Sequence, residues 1–214
     1  MASYNKLLVT SAKGGVGKST TVLGLAAAFS SMTNPKTRAQ YKVLLVDLDV
    51  NSRSLDILCG CENDSLFDFA DVLKEDSLER VLIPDVLGCS GVSLIKACVY
   101  DSLSSLAKSR GETVGECARA VIDKIIKDGN YDILICDTGG GIELSGEVAD
   151  MFDLALITSE QSKTSIRSAE YAAAKLSERS GIPLRLAVCS FDLGAVVREK
   201  RAGIIEMIDS SSLQ

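Results

Sequence analysis

A chain of 214 residues, 46% hydrophobic and 24% charged, carries enough apolar material for one well-buried α/β domain. Its net charge of −6 argues against a broad electrostatic grip on nucleic acid, and the absence of histidine removes the commonest zinc ligand. No stretch has the uninterrupted apolar length of a membrane span, and residues 1–5 show no secretion-signal pattern, so the expectation is a soluble, intracellular protein.

The first element, Lys6 to Thr10, is an apolar run that reads as a buried parallel strand, and Thr21 to Phe29 reads as a helix. Between them lies Ser11-Ala12-Lys13-Gly14-Gly15-Val16-Gly17-Lys18-Ser19-Thr20, a glycine loop in the strand–loop–helix setting that a phosphate cradle requires. A triphosphate concentrates negative charge, so its host must offer many donors without side chains in the way. Gly14, Gly15 and Gly17 allow the backbone to curl, so that amides through Val16 and onward point inward, and the helix starting near Lys18 adds its positive end. Lys18 suits the β/γ-phosphates, the Ser19 hydroxyl suits Mg²⁺, and Thr20 can bond near the α-phosphate. The strict pattern would place glycine at Ala12, so the loop is a variant, and Lys13 is a second cation in front of the glycines.

Lys42 to Asp47 reads as a second buried strand that delivers a carboxylate to the sheet edge, with Asp49 two residues on. Ser65 to Lys74 and Ser77 to Leu82 read as short helices, and Val92 to Lys96 as a strand. Thr113 to Lys127 reads as an amphipathic helix with Cys117, Val121, Ile122 and Ile125 inward. The run Ile133 to Cys136 followed by Asp137 has the form of a strand holding a Mg²⁺-binding carboxylate at its tip. Thr138 and Gly139 to Gly141 follow as a mobile segment whose backbone N–H, at Gly141, can sense the terminal phosphate. Strands over 154–158 and 184–188, a helix over 165–179 and a helix-like stretch over 196–208 complete the pattern. Alternating strands and helices predict a doubly wound, mostly parallel three-layer α/β domain covering residues 1–214.

These motifs resemble the deviant Walker A ATPases, whose signature K-G-G-x-G-K-[ST] stands here as Lys13 to Ser19. Within that group the stretch from Asp47 to Glu62 is most similar to the MinD-type members, through D-x-D, a short helix and a G-C-E turn. The resemblance implies a Mg²⁺-dependent ATPase that turns ATP into ADP and phosphate. It implies that Lys18 and the loop amides bind phosphate, that Ser19, Asp47 and Asp137 serve the metal, and that Asp49 orients water. It further implies that Lys13 crosses to the phosphates of a partner subunit, giving an ATP-dependent homodimer used in spatial organisation such as division-site placement. An activating or recruiting protein partner follows from the same resemblance, with a cytoplasmic location that is peripheral to the membrane only through partners or a further C-terminal segment.

Departures from the family are equally specific. The D-[ST]-P-A-G segment is Asp137-Thr138-Gly139-Gly140-Gly141 here, without proline, and the loop Thr158 to Arg167 lacks the family's proline and aspartate. Cys189 falls where relatives often have an asparagine that reads adenine, and a thiol cannot make those bidentate bonds. The usual C-terminal continuation and membrane-targeting helix have no counterpart in this sequence. Residues 163–214 carry eight Lys/Arg against six Asp/Glu, with Arg198, Lys200 and Arg201 together. A DNA-, pilus- or flagellum-positioning ATPase is therefore the alternative in the same fold, and a nucleotide-sensing scaffold with little turnover is the alternative in another class. The seven cysteines form no C-x-x-C pair and read as reduced core thiols; an iron–sulphur role would call on Cys98 and Cys136.

Overall fold

The computed structural model describes residues 5–191. Six strands, β1 (Lys6–Ser11), β2 (Val43–Leu48), β3 (Val92–Ile95), β4 (Ile133–Gly140), β5 (Leu154–Glu160) and β6 (Leu184–Cys189), form one sheet in the order β3-β2-β4-β1-β5-β6. Every neighbouring pair is parallel. Their near-continuous apolar runs are the mark of strands covered on both faces.

Alternate residues of each strand supply opposite layers. Leu7, Val9, Leu45 and Ile135 pack with Val22 and Ala26 of α1 (Lys18–Ser30) on one face. Leu8, Leu44, Val46 and Cys136 pack on the other with Leu103 of α3 (Tyr100–Arg110), Val121 and Ile122 of α4 (Val114–Asp128), and Ala169 and Leu176 of α6 (Lys163–Arg179). Two short helices, α2 (Leu55–Cys59) and α5 (Glu143–Val148), follow β2 and β4 directly.

The order of strands decides where the site lies. β4 inserts between β1 and β2, so the carboxyl ends of β1, β4 and β2 stand side by side, and the next connection carries the chain across β1 to β5. Asp47 pairs in register with Asp137, and Val9 with Asp137 on the other side. Ligands of open α/β sheets bind at such an edge.

The sequence expectations differ from the structure in several places. Residues 65–74 and 77–82 form only short capped 3-10 helices, Phe69–Leu73 and Leu78–Arg80, the first burying Phe69, Ala70 and Val72 and the second only Leu78. β4 continues through Gly139 and Gly140, with a register shift against β1 between Val9 and Ser11, where a mobile segment was expected. α1 begins at Lys18, where the phosphate-cradle reading placed its start, whereas α3 and α5 were not anticipated. The helix expected over 196–208 and the basic cluster at Arg198, Lys200 and Arg201 lie outside the described residues.

Candidate nucleotide site

The glycine loop connects β1 to α1 in the left-handed conformation at Gly15 (φ 78°) and Gly17 (φ 87°). A Cβ on Gly17 would also lie 3.1 Å from the Cβ and Sγ of Cys189, so this position is restricted by both backbone and space. Val16 turns inward and is buried, which pins the loop while leaving Lys13, Gly14 and Gly15 exposed. α1 has no side-chain cap and no acid in its first turn. Its free amides and positive end therefore face the loop's concavity, an arrangement suited to an anion.

Lys18 and Asp137 form the buried centre. Lys18 Nζ lies 3.7 Å from Asp137 Oδ1, with side-chain exposures of 9% and 0%. Neither carboxylate oxygen of Asp137 is within hydrogen-bond reach of a donor. Burial raises the Asp137 pKa; the neighbouring Lys18 charge and Ser19 hydroxyl pull it back without cancelling the rise, and Asp49 adds to it. A buried carboxylate whose ion-pair partner stands at 3.7 Å and which has no hydrogen bond is costly as it stands, and a group that supplies ligands to both side chains would reduce the cost.

Asp47 and Asp49 have separate tasks. Asp47 accepts the amides of Asp49 (2.8 Å, Oδ1) and Leu55 (3.1 Å, Oδ2), so it braces the loop between β2 and α2. Burial pushes its pKa up to about 7, opposed by those two amides and reinforced by Asp137 and Asp49. Asp49 Oδ1 accepts the amides of Asn51 (3.2 Å) and Ser52 (2.9 Å), and its other oxygen has no protein donor among the described residues. A Cβ on Gly139 would stand 3.0 Å from Asp49 Oδ1, so any larger residue there would press on that carboxylate.

A cavity of about 450 Å³ opens over this arrangement, lined by Gly14, Gly15, Lys18, Ser19, Asp49 and Gly141 among others. The residues expected from the sequence thus converge, with three qualifications. Ser19 Oγ is engaged with Ser54 Oγ at 3.1 Å. The Gly141 amide donates to the Ser11 carbonyl (3.1 Å), so in this conformation it is not directed at a ligand. Thr20 is exposed on α1. Lys13 sits at the rim, its Nζ 3.1 Å from Glu160 Oε2 at the end of β5. Sequence reading missed Ser54 and Glu160 as neighbours of Ser19 and Lys13. Ser54 had a local signal, a serine just before an apolar helix start; Glu160 is 147 positions from Lys13 and had none.

The donor set fits Mg²⁺. It is composed of oxygens, the two orphaned oxygens of Asp137 and the Ser19 hydroxyl, as a hard cation prefers. Among the described residues no group of three or more Cys, His, Asp or Glu is placed to hold a metal. Mg²⁺ needs no such cage, because it keeps waters and phosphate oxygens in its shell. Cys98 and Cys136 are buried in the core with thiol pKa values pushed up by burial, Cys98 to about 12, and neither presents a ligand at the surface. No helix among the described residues is long and apolar enough to cross a membrane.

A sequence profile of the ParA family, described as an NUBPL iron-transfer P-loop NTPase, matches residues 3–170. The septum site-determining protein MinD of Buchnera aphidicola subsp. Baizongia pistaciae is 30% identical over 169 residues, covering 77% of this chain and 56% of that protein. MinD of Escherichia coli K12 is 28% identical over 176 residues, covering 81% and 59%. This chain therefore spans less than two thirds of the length of those relatives. Among solved structures, the MinC:MinD cell division protein complex of Aquifex aeolicus is similar with a TM-score of 0.75 at 27% identity, covering 98% of this chain and 78% of its counterpart. MinD of Pyrococcus horikoshii complexed with Mg-ADP has a TM-score of 0.69 at 20% identity, covering 96% and 77%, which speaks for the fold alone.

Proposed function

This chain belongs to the ParA family of P-loop NTPases, and on that premise we propose that it is a Mg²⁺-dependent ATPase whose ATP-bound form is a dimer. The family is one of ATPases; the observation that supports activity in this chain is the buried Lys18–Asp137 ion pair, in which neither Asp137 oxygen has a hydrogen-bond partner. Asp137 and Ser19 would hold Mg²⁺, with Asp47 supporting them through the loop it braces. When bound, the ion would neutralise phosphate charge as it develops in the transfer step.

The chain's own groups account for the remaining needs of phosphoryl transfer, which are positioning and electrostatics. The loop amides from Gly14 to Ser19 and the positive end of α1 cradle the phosphates, and Lys18 reaches the β/γ oxygens. Asp49 is held by two amides on one oxygen and offers the other to the attacking water. Lys13 lies at the open rim, where a second subunit can be met, and leaves Glu160 to neutralise charge on that subunit's nucleotide. The septum-site relatives support a role in spatial organisation, such as division-site placement, carried out with a recruiting or activating protein partner.

A phosphate-release assay tests this reading: release with ATP and Mg²⁺ that stops on chelation supports it, and the same rate with and without chelator contradicts it. A second reading, a nucleotide sensor with slow turnover, is favoured by one observation. The Gly141 amide is already bonded to Ser11, so three consecutive glycines must reorder before the switch can respond. A bound nucleotide with phosphate release near the uncatalysed level would select that reading.

A further inference from the structure

A second cavity, of about 430 Å³, lies on the other side of the β4 glycines. It shares Asn51, Gly140 and Gly141 with the phosphate-side cavity and no other lining residue. Its volume falls in the range of small-molecule sites, roughly 300–1,000 Å³. Six elements contribute to it: the end of β2, the start of α3, the amino end of α4, the end of β4, most of α5 and the last residue of α6.

The lining specifies a ligand class. Leu48, Val50, Val114, Leu144 and the ring of Tyr100 give it an apolar wall. At its rim Glu147 and Arg179 are paired with each other at 2.9 Å, so they cancel, and Glu143 remains as an exposed acid. An anionic ligand is therefore disfavoured. One polar group in the wall is unspent: Ser145 is 1% exposed and its Oγ has no hydrogen-bond partner. A buried hydroxyl without a partner is unfavourable, because it has given up its bonds to water for nothing in return. Ser145 lines the cavity, so an acceptor on a ligand there would supply the partner its hydroxyl lacks.

We propose that this cavity is a second ligand site, for an uncharged, largely apolar small molecule carrying a hydrogen-bond acceptor such as a carbonyl oxygen. Its occupant lies against Gly140 and Gly141, the same residues that face the phosphate side. A ligand that binds two arrangements of these glycines unequally would change nucleotide affinity by the same factor as nucleotide changes its own.

The test uses the full chain, ¹⁵N-labelled, titrated with acetophenone, which has a phenyl ring and one carbonyl acceptor. Toluene supplies the ring without the acceptor, and benzoate the ring with a negative charge. Acetophenone is expected to shift the amides of Gly115, Gly139 and Gly141 and to bind at least tenfold tighter than benzoate. Ser145→Ala should weaken acetophenone about three- to tenfold, the worth of one neutral hydrogen bond, and leave toluene unchanged. Leu144→Trp, and separately Val50→Phe, should fill the cavity and abolish the shifts while the circular dichroism spectrum stays native. Absence of shifts at these glycines, shifts that persist in a folded cavity-filling variant, equal binding of benzoate, or an unchanged affinity in Ser145→Ala would overturn the proposal.

Discussion

Lys13 Nζ lies 3.1 Å from Glu160 Oε2, so the lysine that marks this loop is held by its own chain at the rim of the site. The two side chains are 45% and 38% exposed, and a pair so well solvated contributes at most about 1 kcal/mol. That is small beside the attraction of a polyphosphate for a lysine, so the pair is a resting place and not a lock. Glu160→Gln is expected to leave urea-denaturation stability within about 1 kcal/mol. Lys13→Ala should leave nucleotide affinity within a few-fold in a fluorescent-nucleotide titration, yet reduce phosphate release about 10²-fold or more, the usual scale for removing one transition-state charge contact.

Asp49 and Asp137 should separate kinetically. Asp49→Ala removes the carboxylate proposed to orient water but leaves the phosphate cradle, so turnover falls about 10²–10⁴-fold while ATP affinity changes little. Asp137→Ala removes the buried partner of Lys18 and a proposed Mg²⁺ ligand, so Mg²⁺ should no longer tighten nucleotide binding. Isothermal titration with and without Mg²⁺ checks both variants. Equal Mg²⁺ dependence in Asp137→Ala and wild type would remove Asp137 from the metal site.

Gly17→Ala tests the loop's geometry. The residue sits at φ 87° and an added Cβ would be 3.1 Å from Cys189, so the substitution combines left-handed strain with a tight contact. A loss of about 1–2 kcal/mol is expected from the backbone term alone, with nucleotide binding lost because the amides move out of the cradle. Thermal denaturation and a binding titration on the same sample read the two effects.

Stability towards acid should depend on Asp153, which ties the start of β1 to β5. Burial raises its pKa, but the Lys6 side chain and the amides of Asn5 and Lys6 outweigh that, and the net shift is downward. A carboxyl depressed on folding binds protons more readily when unfolded. Its contribution is therefore fully present above the ordinary carboxylate value of about 3.9 and is lost as pH falls through the lower folded value. Asp153→Asn should cost about 1–2 kcal/mol at neutral pH, and the difference from wild type should shrink as the pH falls below about 4. A difference that stays constant over that range would mean the charge is not responsible.

Much of this arrangement is legible in the sequence because its signals are local. The strands at Lys6 to Ser11, Val43 to Leu48 and Ile133 to Cys136 are apolar runs, and Lys18, Ser19, Asp47, Asp49 and Asp137 each stand at a fixed offset from a strand end. α3 was missed because its sequence, Tyr-Asp-Ser-Leu-Ser-Ser-Leu-Ala-Lys-Ser-Arg, buries only Leu103 and Ala107, too narrow a stripe for periodicity to register. The extension of β4 through Gly139 and Gly140 is set by pairing with β1 and not by propensity, since glycine weakens strands in general. The contacts of Lys13 with Glu160 and of the Gly17 loop with Cys189 join positions more than 140 residues apart, and only the sheet order brings them together. The division of labour between Asp47 and Asp49 rests on which amides each accepts, which a D-x-D spacing cannot specify.

The central claim is that the site is completed by a second subunit through Lys13, and size-exclusion chromatography of the full chain with Mg²⁺ and either ATP or ADP tests it most directly. Hydrolysis-impaired Asp49→Ala should elute as a dimer with ATP and as a monomer with ADP, and the Lys13→Ala/Asp49→Ala double variant should remain a monomer with both. A double variant that dimerises with ATP as well as Asp49→Ala does, or an Asp49→Ala protein that never responds to ATP while binding it, would contradict the account.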